Sequence, residues 1–154
     1  MRAIILFFCF FTSAHALSHE HDDVAQTIDA LHTYASEANG KAYFALFDDS
    51  AIFIGTDASE TWTVDEFKAY ATPHFDKGRG WTYTVTERNI YFSANGNVAW
   101  FDELLYNESL GVTRGTGVLE KSNGQWKFAQ YHLAIPVPNA LADDIADQIK
   151  AYTP

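Results

Sequence analysis

Apolar and polar positions along the chain follow two periods. Val24, Ile28, Leu31 and Ala35 recur at steps of three and four, which is one face of a helix. Asp22 or Asp23 is placed to cap its start. Asn39-Gly40 is placed to end it, because glycine accepts the left-handed conformation on which helices stop. "KAYFALFDD" predicts a short second helix and "SAIFIG" a short apolar strand. "TVDE" at 63–66 is a capping box: Thr63 accepts from the Glu66 amide while Glu66 reaches back. The helix it opens buries Phe67, Tyr70 and Ala71, and Pro73 predicts a kinked or irregular second half.

From Trp81 the period becomes two. "WTYTVTERNIYFS", "NVAWFDELLYNES", "GVTRGTGVLEK" and "QWKFAQYHLAI" are four successive strands rich in β-branched and aromatic residues. Asn95-Gly96 and Asn123-Gly124 mark tight turns between them. After "PVPN", Asn139 caps a last helix carrying the stripe Leu141, Ile145, Ile149. Helices, then a long antiparallel meander, then one helix predict an α+β domain with a curved sheet closed by helices.

The first sixteen residues change the picture of where this domain starts. Met1-Arg2, the apolar "AIILFFCFF" and the small-x-small Ala14-His15-Ala16 have the form of a cleavable leader, too short in its apolar run to span a bilayer. Cleavage after Ala16 is expected, giving an exported protein, periplasmic or secreted. Residues 17–23 then form a flexible start, and 24–154 a single domain. The one cysteine, Cys9, lies in the leader, so the remaining chain has no disulfide. The formal net charge of -10 argues against nucleic acid and against a membrane-surface role after cleavage. Aromatic residues make up 16%, enough to wall a core or pocket with rings.

"FDDSAIFIGTDASETWTVDEF", "GRGWTYTVTER", "VAWFDE" and "RGTGVLEKSNGQWKFAQYHL", in that order, resemble the nuclear-transport-factor-2-like superfamily in its SnoaL-like branch. The resemblance implies a curved antiparallel sheet wrapped around helices, a cone-shaped cavity between the sheet and the first three helices, and frequent homodimers through the outer sheet face. Isomerases, cyclases, dehydratases, adaptors and assembly hubs share this scaffold, so it does not fix the chemistry. In the isomerase branch the general base is an Asp at the end of the first short strand. The matching residue here is Gly55, and Asp57 lies two residues beyond, in the loop.

The polar residues of the last hairpin are assigned to faces by turn length. With Asn123-Gly124 as a type I′ turn, Arg114, Thr116 and Val118 share a face with Ala129, Tyr131 and Leu133, and Glu120 meets Lys127. With a three-residue loop, Arg114 faces His132 instead. The first is preferred, and the resemblance agrees, since positions matching Tyr131 and Leu133 line the cavity in the isomerase branch. Trp126, Phe128, Gln130 and His132 then face outward as a dimer surface. Asp102 is chosen as inward, because a buried Arg114 needs a carboxylate partner; a purely structural ion pair is the competing reading. Trp62, Trp81 and Trp100 are further candidates for the cavity wall, beside Tyr70 and Tyr83.

These residues predict a small, partly apolar organic ligand bound by Arg114, Thr116, Trp62, Trp81, Trp100, Leu133 and His132. Acid–base catalysis through Asp102 and Tyr131 is open, and a non-catalytic dimeric interaction module is the alternative. Cleavage after Ala16 would also place His19 third and His21 fifth in the mature chain. Amine, amide and imidazole nitrogens could then surround Cu(II) or Ni(II) in a plane. No nucleotide loop, zinc spacing or Ser-His-Asp constellation occurs, and no cofactor is expected.

Overall fold

The computed structural model describes the backbone of residues 12–152 and the side chains from His19 onward. The leader therefore lies largely outside the described residues. Helix α1 spans Thr12–Ser36. Residues 17–23 are thus helical rather than a loose start, and neither Asp22 nor Asp23 caps a helix. Glu20 fastens this extension to the sheet: its carboxylate accepts from Lys121 Nζ and, at 3.0 Å, from Trp126 Nε1. Those two donors hold the Glu20 carboxyl below its usual value. Ile28, Leu31 and Ala35 are buried, as their spacing predicts.

Helix α1 ends through Ala38, whose φ of 53° takes the left-handed position. Asn39 does not end α1. Its side chain accepts from the Ala42 amide and so opens α2, Gly40–Ala45. Strand β1 follows at Phe47–Ile54, then β2 at Thr61–Thr63, a three-residue strand the sequence pattern does not signal. Helix α3 runs Val64–Phe75 and includes Pro73. The remaining strands are β3 Thr84–Phe92, β4 Val98–Asn107, β5 Gly111–Ser122 and β6 Gln125–Ala134. A 3-10 turn at Asn139–Leu141 precedes α4, Ala142–Tyr152; Pro138 rather than Asn139 stands at the turn's start.

The capping box forms as read: Glu66 N donates to Thr63 Oγ1 at 3.3 Å, and Thr63 N donates to Glu66 Oε2 at 2.8 Å. Thr63 N, and Thr63 Oγ1 also at 2.8 Å, donate to the Glu66 carboxylate and hold it below its ordinary 4.5. A lowered folded-state value means that the stabilisation is complete above pH 4.5 and is lost as pH falls through the folded value. Thr63→Ala is expected to cost about 1 kcal/mol in urea unfolding at neutral pH. The gap to wild type should narrow in acid.

The six strands are ordered β2-β1-β6-β5-β4-β3. The sheet is curved and unclosed, and α+β is the observed class. It is not wholly antiparallel, because β1 runs parallel to β6. Its inner face carries Phe47, Phe53, Ala99, Phe101, Leu119, Phe128 and Tyr131, which pack with α1, α2 and α3 around Tyr43 and Phe67. This aromatic core holds the strands at the bend that leaves a hollow at one end.

Candidate functional site

The hairpin decides which side chains face that hollow. Asn123 and Gly124 both have positive φ, 52° and 78°, and Ser122 pairs with Gln125: the two-residue turn is present. Farther along, the register slips by one. Leu119 pairs with Phe128, but Val118 pairs with Gln130, leaving Ala129 as the extra residue of a bulge. Beyond it Gly117 pairs with Tyr131, and Thr116 with His132.

The preferred placement of Arg114 beside Tyr131 does not survive that slip; Arg114 shares a face with His132, as in the alternative, but through the bulge rather than a three-residue loop. Tyr131 points inward, so Gly117, Gly115 and Thr113 are its inward companions on β5. Arg114 is exposed on the outer face with Thr116 and His132. Asp102 is also outward, opposite Thr116, with Asn89 Nδ2 at 3.3 Å from its carboxylate. Trp100 is outward and 44% exposed, stacked on Tyr91. Trp126 and Phe128, expected on the outer surface, are buried instead. The inward assignment of Arg114, Thr116, Asp102 and Trp100 is therefore corrected; His132 faces outward as expected and so does not line the cavity as a ligand contact. The physical cause is one unpaired residue, which reverses the parity of everything beyond it.

The carboxylate that does face inward is Glu103, 1% exposed. Its Oε1 lies 2.7 Å from His32 Nε2 on α1. Its Oε2 accepts from Arg88 Nε on β3 at 2.9 Å. Arg88 Nη1 reaches Asp29 on α1 at 2.7 Å. An ionised carboxylate carries no proton, so the hydrogen in the His32–Glu103 bond belongs to Nε2, and the buried charge of Glu103 is answered by Arg88. Gly115 makes room for this cluster. A Cβ there would stand 2.7 Å from the Tyr131 hydroxyl and 2.8 Å from Glu103 Oε1, closer than real Cβ atoms come.

A cavity of about 200 Å³ opens beside this group. His32, Tyr131 and Tyr83 line its polar part. Trp62, Trp81, Tyr43, Phe53 and Phe67 supply much of the rest. Among the sequence-derived candidates, Tyr131, Trp62, Trp81 and Leu133 thus stand on the wall, with Tyr70 and Tyr83. Burial, and then the Glu103 carboxylate, push the Tyr131 phenol well above its usual value. Tyr131 therefore stays protonated and able to donate. Burial also raises Tyr83. Gly55 lies on the wall with no side chain, and Asp57 turns into its own loop, accepting from Ser59 N at 2.8 Å and Ser59 Oγ at 2.6 Å.

His19 and His21 stand on α1, their Nδ1 atoms 3.7 Å and 4.0 Å from the carboxylates of Asp23 and Asp22. The backbone amides of a helix interior are committed to intrahelical bonds. The planar nitrogen set expected for Cu(II) or Ni(II) belongs to the chain after cleavage at Ala16, whose free amine the uncleaved chain lacks. Among the described residues, no three His, Cys, Asp or Glu side chains gather as for a metal ion, and no helix is long and apolar enough to cross a membrane.

Sequence reasoning missed His32, Arg88 and Glu103, although their signals were present. His32 sits four residues after Ile28 and three before Ala35, on the buried stripe of α1. Arg88 shares parity with Ile90 and Phe92, and Glu103 with Phe101 and Leu105.

The comparison with known families bears on this hollow. A family model described as the SnoaL-like domain matches residues 24–138. The chain belongs to the SnoaL-like domain family. Solved structures agree on the fold of this SnoaL-like domain. An NTF2-like protein of unknown function from Pseudomonas putida KT2440 is 14% identical, with TM-score 0.66, over 80% of this chain and 90% of that one. A candidate scytalone dehydratase from Novosphingobium aromaticivorans DSM 12444 is 15% identical, with TM-score 0.67, over 80% and 89%. A candidate aromatic ring hydroxylase from Novosphingobium aromaticivorans DSM is 12% identical, with TM-score 0.65, over 79% and 92%. At such identities the likeness speaks for fold alone. No curated protein matches the chain.

Proposed function

We propose that this SnoaL-like domain binds a small, partly apolar organic molecule in its cavity and moves a proton on it. His32 is the acid–base group, Glu103 fixes its tautomer, and Tyr131 donates to an oxygen on which negative charge develops. The observation that carries the reading is the buried Glu103 carboxylate 2.7 Å from a histidine that lines an aromatic cavity. Names given to structural neighbours, a candidate dehydratase among them, accord with chemistry of this kind. These residues replace Asp102, whose carboxylate is on the wrong face to serve.

The test uses a cyclic ketone with acidic α-hydrogens. With 2-tetralone in D₂O, the protein should accelerate α-hydrogen exchange seen by NMR. His32→Gln should remove about 10²- to 10⁴-fold of that acceleration, the range general acid–base catalysis supplies. Exchange at the uncatalysed rate with the intact protein would end the catalytic part of the proposal.

A second reading is favoured by the outer sheet face, where Trp100 is 44% exposed, Tyr106 49% and Val112 56%. It makes the chain a dimeric interaction module, its partner a second copy packed over Trp100 and Tyr91. Trp100→Glu should then convert a dimer to a monomer in sedimentation velocity, with unfolding unchanged within about 0.5 kcal/mol. Export after cleavage at Ala16 is part of the same proposal, and the intact mass of protein recovered outside the cytoplasm tests it.

A further inference from the structure

We propose that the ligand of this cavity is a small organic cation, a protonated or quaternary amine, whose charge is held by Glu60. The inference rests on the reading of the cavity as a ligand site and adds the ligand's chemical class. Glu60 is the half-buried residue that ends the β1–β2 loop, and it lines the cavity next to Trp62 and Tyr70. The loop fixes it in place. Gly55 N donates to the Glu60 carbonyl at 2.8 Å, and Asp57 N donates to Glu60 Oε2 at 3.1 Å. The carboxylate also lies so close over Gly55 that a Cβ there would overlap Oε2.

Only Oε2 is used in this way. Among the described residues no basic side chain lies within salt-bridge distance of Glu60, and none of the residues lining the cavity is a lysine or arginine. Arg88, on the far edge strand β3, is committed to Glu103 and Asp29. An anionic ligand would meet a fixed carboxylate with no lysine or arginine on the wall to offset it, at a cost that grows as water is displaced. A cation finds the opposite: a free carboxylate oxygen, phenol oxygens on Tyr70 and Tyr83, and a wall of aromatic rings, whose quadrupoles favour positive charge. The chain's net charge of -10 draws cations toward the mouth. The ammonium end therefore rests at Glu60, and the uncharged end reaches inward toward His32 and Tyr131.

Choline and its uncharged isostere 3,3-dimethylbutan-1-ol separate charge from shape. Titrations of the full chain are followed by fluorescence of Trp62 and Trp81, with 2-naphthol as a neutral probe of the cavity. Choline should bind about ten-fold or more tighter than the isostere. Glu60→Gln should remove that preference while 2-naphthol still binds. Choline no tighter than its isostere, or a preference that persists in Glu60→Gln, overturns the assignment. If 2-naphthol still binds in that case, the cavity remains a ligand site and only the charge assignment fails. If neither 2-naphthol nor choline binds, the ligand-site reading fails with it.

Discussion

Arg88→Met is expected to lower the unfolding free energy by about 3–5 kcal/mol in urea titrations near neutral pH. The reason is what it leaves behind. Glu103 has a fully buried side chain, and Arg88 Nε and Nη2 both stand 2.9 Å from its Oε2. Nη2 is out of line for a hydrogen bond, so the pair is held by one good bond and by charge. Asp29 adds little, because its side chain is 66% exposed and water screens it. Removing the guanidinium strands the carboxylate away from water with only His32 to answer it.

Replacing both partners, Arg88→Met with Glu103→Leu, should recover most of the loss, since methionine and leucine need no partner in an apolar strand layer. The double variant should nevertheless fail in the 2-tetralone exchange assay. Stability restored without activity would separate what the charges do for the fold from what they do for His32. A loss in Arg88→Met below about 1 kcal/mol would mean that the pair behaves as a solvated surface bridge.

Such a network is hard to read from a sequence because its members come from three distant segments. His32 is 71 positions from Glu103. The layout of the chain was legible: the helical stripe of Ile28, Leu31 and Ala35, the capping box at Thr63, the four-strand meander and the Asn123-Gly124 turn all formed where the pattern placed them. Each depends on neighbours within a few residues. The faces of the last hairpin were not legible from the turn alone, since alternation propagates a single insertion indefinitely.

A clue was nevertheless printed in the strand. Trp126 and Phe128 are apolar at even positions, Tyr131 and Leu133 at odd ones. A strand burying one face cannot satisfy both sets without an extra residue between them, and Ala129 is that residue. The same arithmetic puts the glycines of "RGTG" inward and Arg114 outward. A glycine at alternate positions of an inner face marks a close approach, here by Glu103 and Tyr131 over Gly115 and by Phe101 over Gly117.

Gly115→Ala turns that close approach into the most selective test of the site. The added Cβ would sit 2.7 Å from the Tyr131 hydroxyl and 2.8 Å from Glu103 Oε1. Neither group is free to swing aside. Tyr131 is held among Phe53, Phe101 and Phe128, with ring centroids at 5.5, 6.2 and 6.1 Å, and Glu103 is tied to Arg88 and His32. A few tenths of an ångström of retreat lengthens the 2.7 Å His32–Glu103 bond and lifts the tyrosine from its place. The expected stability loss is about 1–3 kcal/mol, typical of overpacking. Acceleration of 2-tetralone exchange should fall by about 10-fold or more, short of the roughly 10²-fold that a misplacement of about 1 Å can cost. Arg114→Ala, one residue away on the outer face, should leave both quantities close to wild type. Equal effects from the two neighbours would contradict the assignment of faces, because only one of the two side chains can point at Glu103.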